Sequence, residues 1–249
     1  MSGMAPAALV LGADTCPGLG IVLALLEVGS PVLAAAGDRA GLARLVPLQA
    51  LEPGLRAGVL SLCGEAAAAR LARRLRRARR PLHAVFVALR VDATPVRLLD
   101  APASCLQAQF RRQVEPQLAL ARQLLPLLAG PPDPPRRYVL VAGPVPQRGW
   151  AGYGHASIAA AANRMLVQVL HEEAAPLGVR VQMFEPDRVL RERPDGARDP
   201  DAAALALGRA AVALLRPEAP AQALVAHDPR RARAPTSLLF PPPSLPLPA

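Results

Sequence analysis

The sequence predicts an α/β protein: a doubly wound parallel sheet of six or seven strands, with helices on both faces, in one domain. Three observations predict it. Short apolar runs alternate with longer amphipathic stretches along most of the chain, which is the pattern of βαβ units. The runs are apolar throughout rather than alternating, so both faces of each strand are to be buried. A glycine-rich turn separates the first run from the first amphipathic stretch.

The strand candidates are AALVLG (7–12), PVLAAA (31–36), AGVLSL (57–62), HAVFVAL (83–89), YVLVAG (138–143) and VRVQMF (179–184). QALVAH (222–227) is a seventh candidate, at a sheet edge. Helical stretches lie between them near 18–28, 39–49, 65–80, 103–128, 155–176 and 201–215. Gly29 and Gly178 follow helices and precede strands, where a left-handed glycine ends a helix. No internal repeat breaks the order. The domain is placed at 1–228, because from 229 to 249 periodicity is lost and proline and arginine dominate. That tail is expected to be disordered or extended.

At 249 residues and 52% hydrophobic, the chain has material for one large core. Aromatic residues are 3%, so leucine, valine and alanine must fill it. All 29 basic residues are arginine, and the formal charge is +10. Such a surface favours phosphate-bearing partners without choosing among them. Cys16, Cys63 and Cys105 form no paired motif, and the four histidines show no metal-ligand spacing; no metal site is expected. The first residues read as a strand rather than a signal peptide, and no run approaches the roughly 20 apolar residues of a membrane span. A cytoplasmic protein is the expectation.

The turn GADTCPGLG places Gly12, Gly18 and Gly20 between a strand and a helix, where backbone N–H groups can meet a pyrophosphate. There the chain resembles the short-chain dehydrogenase/reductase family, whose loop is T-G-x-x-x-G-x-G. Here the first spacing is two residues longer and Leu11 stands for the threonine. The resemblance continues in QVEPQLALARQLLPLL (113–128), in YVLVAGP (138–144), and without a gap through ASIAAAANRMLVQVLHEEAAPLGVRVQMFEPD (156–187). It covers roughly 7–216 and implies a Rossmann-type fold.

It also implies chemistry that the residues do not carry. In the family a tyrosine phenol exchanges a proton with the substrate oxygen during hydride transfer. A lysine lowers its pKa, a serine orients the carbonyl, and an asparagine supports the relay. By spacing, these four positions are Ala156, Ala160, Gly143 and Gln113. Only Gln113 keeps hydrogen-bonding capacity. Tyr153 and His155 are the substitutes in reach, with Arg148 or Arg164 as sources of charge, although His155 should point elsewhere at a helix start. The family's N-N-A-G turn reads VALR (87–90), an adenine-contacting aspartate is Ser61, and the late P-G is Pro186-Asp187.

The resemblance implies NAD or NADP. Gly12, Gly18 and Gly20 are the candidate phosphate-loop residues. Asp38 suits the ribose of one cofactor and Arg39 the 2′-phosphate of the other. Asp14 and Pro17 work against binding, by adding a negative charge and removing a donor. The helix RLARRLRRARR (70–80) reads as a solvated face over an apolar stripe of Leu71, Leu75 and Ala78. Contact with RNA or an anionic membrane is the weaker reading. The expectation is therefore a catalytically degenerate member with a binding or partner role, as a homodimer or with an active relative, through helices 103–128 and 155–176. The alternative is an active NAD(P)-dependent oxidoreductase with relocated acid/base residues.

Overall fold

The computed structural model describes residues 7–60, 64–78, 81–90, 94–131, 135–143, 149–186 and 200–227. The apolar runs become seven strands: β1 (Ala7–Leu11), β2 (Val32–Ala36), β3 (Leu55–Val59), β4 (Leu82–Val87), β5 (Arg136–Val141), β6 (Val179–Glu185) and β7 (Leu224–Ala226). They form one sheet in the order β3-β2-β1-β4-β5-β6-β7, and every pairing is parallel. The helices are α1 (Cys16–Glu27), α2 (Arg39–Leu51), α3 (Gly64–Ala78), α4 (Ala103–Gln113), α5 (Glu115–Leu128), α6 (Gly154–Ala174) and α7 (Pro200–Val212). Strand order reverses between β1 and β4, so a crevice opens at their carboxyl ends.

Both faces of the sheet are buried. Phe86, Val139 and Phe184 turn toward Ile21, Leu25 and Leu207 on one side. Val85, Val87, Tyr138 and Met183 turn toward Leu71, Leu120, Leu124 and Val167 on the other. Alternation along β4 explains how neighbours in sequence serve opposite layers. Gly29 and Gly178 have φ of 70° and 69°, the left-handed geometry expected of glycines that end helices.

Three expectations need correction. β3 starts at Leu55, two residues early, because Leu55 pairs with Val32 and is fully buried. The stretch 103–128 is two helices meeting at Val114. Pro116 has no N–H for the carbonyl of Arg112 and restricts the residue before it, so the ladder is interrupted. On α3, Leu71 is buried and Arg70, Arg73, Arg74, Arg76 and Arg77 are exposed as expected, but Ala78 is exposed too. Arg79, Arg80 and the 229–249 tail lie outside the described residues. No helix among the described residues is long and apolar enough to cross a membrane.

Candidate functional site

The turn after β1 is closed by its own backbone. Gly12 has a φ of 75°, and a Cβ there would stand 2.1 Å from the carbonyl of Ala88 at the end of β4. A Cβ on Gly18 would stand 2.0 Å from the carbonyl of Gly12. Thr15 caps α1: its hydroxyl lies 2.7 Å from the Gly12 carbonyl, which accepts from it, and takes the N–H of Gly18 at 3.1 Å. Pro17 contributes no N–H to this first turn. Gly20 faces away from the turn, against α7.

Asp14 straps this turn to its neighbours. It is buried; Oδ1 accepts from the N–H of Gly37 at 3.0 Å, and Oδ2 lies 3.5 Å from the guanidinium of Arg90. Its carbonyl accepts from Arg44 at 3.5 Å. Gly41 lies against it, since a Cβ there would approach Asp14 Cβ to 2.6 Å. Asp38 is the N-cap of α2, accepting from the N–H of Gly41 at 2.7 Å, and Arg39 opens that helix on the surface.

A second feature lies at the carboxyl ends of β4, β5 and β6. A cleft of about 620 Å³, its open mouth included, is walled by Leu89, Leu140, Ala142 and Met183, with α5 and α6 along its sides. Gln113 and Gln117 are buried in it. Gln113 Nε2 donates to Gln109 Oε1 at 2.8 Å, and Asn163 Nδ2 donates to the Gln113 carbonyl at 3.1 Å. The oxygens Gln117 Oε1 and Asn163 Oδ1 are buried without a hydrogen-bond partner among the described residues. Arg164 donates to the buried carboxylate of Glu185, while Arg112 is exposed at the rim.

No protein-family model matches this chain, and no curated protein does. Solved structures do. A short-chain dehydrogenase/reductase of Burkholderia phymatum in complex with NAD matches with a TM-score of 0.73 and 17% identity, over 92% of this chain and 91% of that one. The Pseudomonas aeruginosa RhlG/NADP active-site complex matches at 0.69 and 21%, over 92% and 98%. A Pseudomonas aeruginosa short chain oxidoreductase, NADPH-bound and containing an atypical catalytic center, matches at 0.65 and 23%, over 73% and 70%. The fold is that of the short-chain dehydrogenases.

Within the short-chain dehydrogenase fold, three of the four positions that resemblance assigned to catalysis come together. Gln113, Gly143 and Ala160 line the cleft. Ala156 is buried one turn earlier on α6 and does not line it. The substitutes are elsewhere. Tyr153 precedes α6, its ring 4.5 Å from that of Trp150 and its backbone bridged to Val96. His155 is buried at the start of α6, and neither residue lines the cleft. Arg148, Ser61 and Asp187 lie outside the described residues. Among the described residues, the charged groups that line it are Arg90, Arg112, Arg164 and Glu185.

Several features of the turn work against a pyrophosphate. A pyrophosphate needs open N–H donors at a helix start. Here the N–H of Gly18 is held by Thr15, Pro17 has none, and the N–H of Ala13 is bonded to the Ala35 carbonyl at 3.0 Å. A buried carboxylate stands among them, and Asp38 is committed to its cap. Sequence reasoning missed Gln117, Asn163 and Glu185. The one local signal was Asn163, a polar residue ending a run of alanines.

Proposed function

We propose that this chain is a non-catalytic protein on the short-chain dehydrogenase fold, acting by binding and as one half of a dimer. A single observation carries the reading: the four positions Gln113, Gly143, Ala156 and Ala160 offer no group that exchanges a proton near neutral pH. Positioned proton transfer supplies about 10²–10⁴-fold of a typical rate, and none of the described residues lining the cleft replaces it. Guanidinium groups stay protonated, and Glu185 is held by Arg164.

Pairing is supported by α6, which exposes Ile158, Met165 and Val169 along one stripe, with Leu118 exposed on α5. These helices cover the segments expected to pair. The neighbour with an atypical catalytic center favours a second reading, an NAD(P)-dependent oxidoreductase with moved acid/base groups. The two separate cleanly. Incubation with NADH or NADPH and a panel of aldehydes and ketones should leave the nicotinamide absorbance unchanged. Turnover that disappears in Tyr153→Phe or His155→Ala overturns the non-catalytic reading.

A further inference from the structure

We propose that the exposed arginine face of α3 binds the phosphate backbone of an RNA duplex, without reading its sequence. The inference goes beyond the non-catalytic, pairing role, since α3 contributes nothing to the cleft or to the α6 stripe.

The stretch 70–80 holds seven of the chain's 29 arginines and no acid, so much of the net charge of +10 is gathered here. On α3, Arg70, Arg73, Arg74 and Arg77 are exposed at i, i+3, i+4 and i+7. They form one stripe about 10 Å long. Like charges at these spacings repel and weaken a helix. The helix dipole offsets this only for Arg76 and Arg77, in the last turn. A face kept for solubility alone mixes both signs, and this one does not. Glu65, the acid of this helix, is paired with Arg122 of α5 and lies off the stripe. The stripe arginines have no ion pair among the described residues.

What the face lacks narrows the partner. Besides arginine and Glu65, its exposed residues are no larger than alanine, so it has no apolar centre of the kind a protein interface needs. The apolar side of α3, with Ala67, Ala68, Leu71 and Ala72, is buried in the domain and leaves nothing to enter a lipid bilayer. No aromatic ring stands on α3 to stack an unpaired base. A duplex backbone, held through phosphates alone, makes none of these demands. Because α3 is half sunk in the domain, only its convex outer face is on offer. That suits the shallow minor groove of an A-form duplex better than the deep major groove of B-form DNA.

The test is fluorescence anisotropy of the full chain with a labelled RNA duplex of about 20 base pairs and mixed sequence. Binding should saturate at about 50 mM salt and be roughly hundredfold weaker at about 200 mM, as four phosphate contacts require. Arg73→Gln with Arg77→Gln should weaken binding by about tenfold at the lower salt and flatten the salt dependence. The melting temperature should stay within about 2 °C, because neither side chain is buried. Arg56→Gln with Arg111→Gln removes the same charge from exposed positions on β3 and α4, and should weaken binding by less than about threefold. The inference is overturned if the RNA duplex does not saturate, or if the second double variant loses as much as the first. It is overturned too if a DNA duplex, a polyglutamate peptide or phosphatidylserine vesicles bind as tightly at the same salt. RNA binding is the readout throughout, so this site and the non-catalytic reading stand or fall separately.

Discussion

Gly20 of α1 and Gly208 of α7 meet backbone to backbone. A Cβ on Gly20 would lie 1.9 Å from the Ala204 carbonyl, and one on Gly208 would lie 1.9 Å from the Gly20 carbonyl. Helices at this range leave no room for a methyl group, and both partners are backbone atoms that a rotamer change cannot move. Gly208→Ala should therefore destabilise the domain by about 3 kcal/mol or more. Urea unfolding followed by circular dichroism measures this. A loss below about 1 kcal/mol would mean that α7 slides freely on α1. The same contact explains why a glycine in a phosphate-type loop need say nothing of phosphate.

Asp14 leads to a second expectation. The chain should show no saturable quenching by NADH or NADPH, and neither should protect it in thermal unfolding. Asp14→Ala should lower stability by about 1 kcal/mol, because the buried carboxylate no longer ties the turn to the N–H of Gly37. Tight dinucleotide binding by the unaltered chain would show that the turn opens on contact with the ligand.

Much of the fold was legible because it rests on local signals. Uniformly apolar runs such as Val85–Val87 marked strands buried on both faces, and Gly29 and Gly178 marked helix ends through a backbone need that few residues meet. The break at Val114 was missed because an apolar pattern running past Pro116 reads as continuous. The site was harder. Glycine spacing identified the loop, but whether Gly18 offers its N–H to a ligand depends on the rotamer of Thr15, which no spacing records. Gln117, Asn163 and Glu185 come from three separate elements, and only the fold puts them around one cleft.

His83 should make stability fall with acid. Burial first, and then Arg136 and Arg137, lower its pKa from 6.5 to about 4 in the folded chain. The unfolded chain therefore binds more protons between those values, and stability is lost as pH drops from about 6.5 toward 4. His83→Gln should flatten the dependence of the melting temperature on pH across that window. An unchanged slope would assign the acid sensitivity to other groups.

Arg137 is the reverse of a helpful charge. It is 1% exposed in the sheet; Nη2 donates to the Arg216 carbonyl at 3.2 Å, while Nε and Nη1 have no partner among the described residues. Burial and the neighbouring Arg180 lower its pKa to about 10, so the folded state is penalised at neutral pH and relieved only above about 10. Arg137→Met keeps an unbranched side chain, about two atoms shorter, and removes the charge. It should raise stability by about 1 kcal/mol or more in urea unfolding at neutral pH. A clear loss would mean that the guanidinium is balanced by an acid outside the described residues.

The α6 stripe carries the proposed pairing. Met165 is 59% exposed and Val169 45%, with Ile158 at 38%, so three apolar side chains line one exposed face of α6. If a second copy covers this stripe, a charge placed in its middle must be buried on pairing or must prevent it. Met165→Glu with Val169→Glu should convert a dimer to a monomer in sedimentation velocity. The circular dichroism spectrum should not change, because neither side chain enters the core. A monomer before substitution, at concentrations up to tens of micromolar, would remove the pairing half of the proposed function and leave the cleft untouched. The arginines of α3 serve as the control: neutralising Arg73 and Arg77 alters an exposed face on another helix and should not shift the equilibrium.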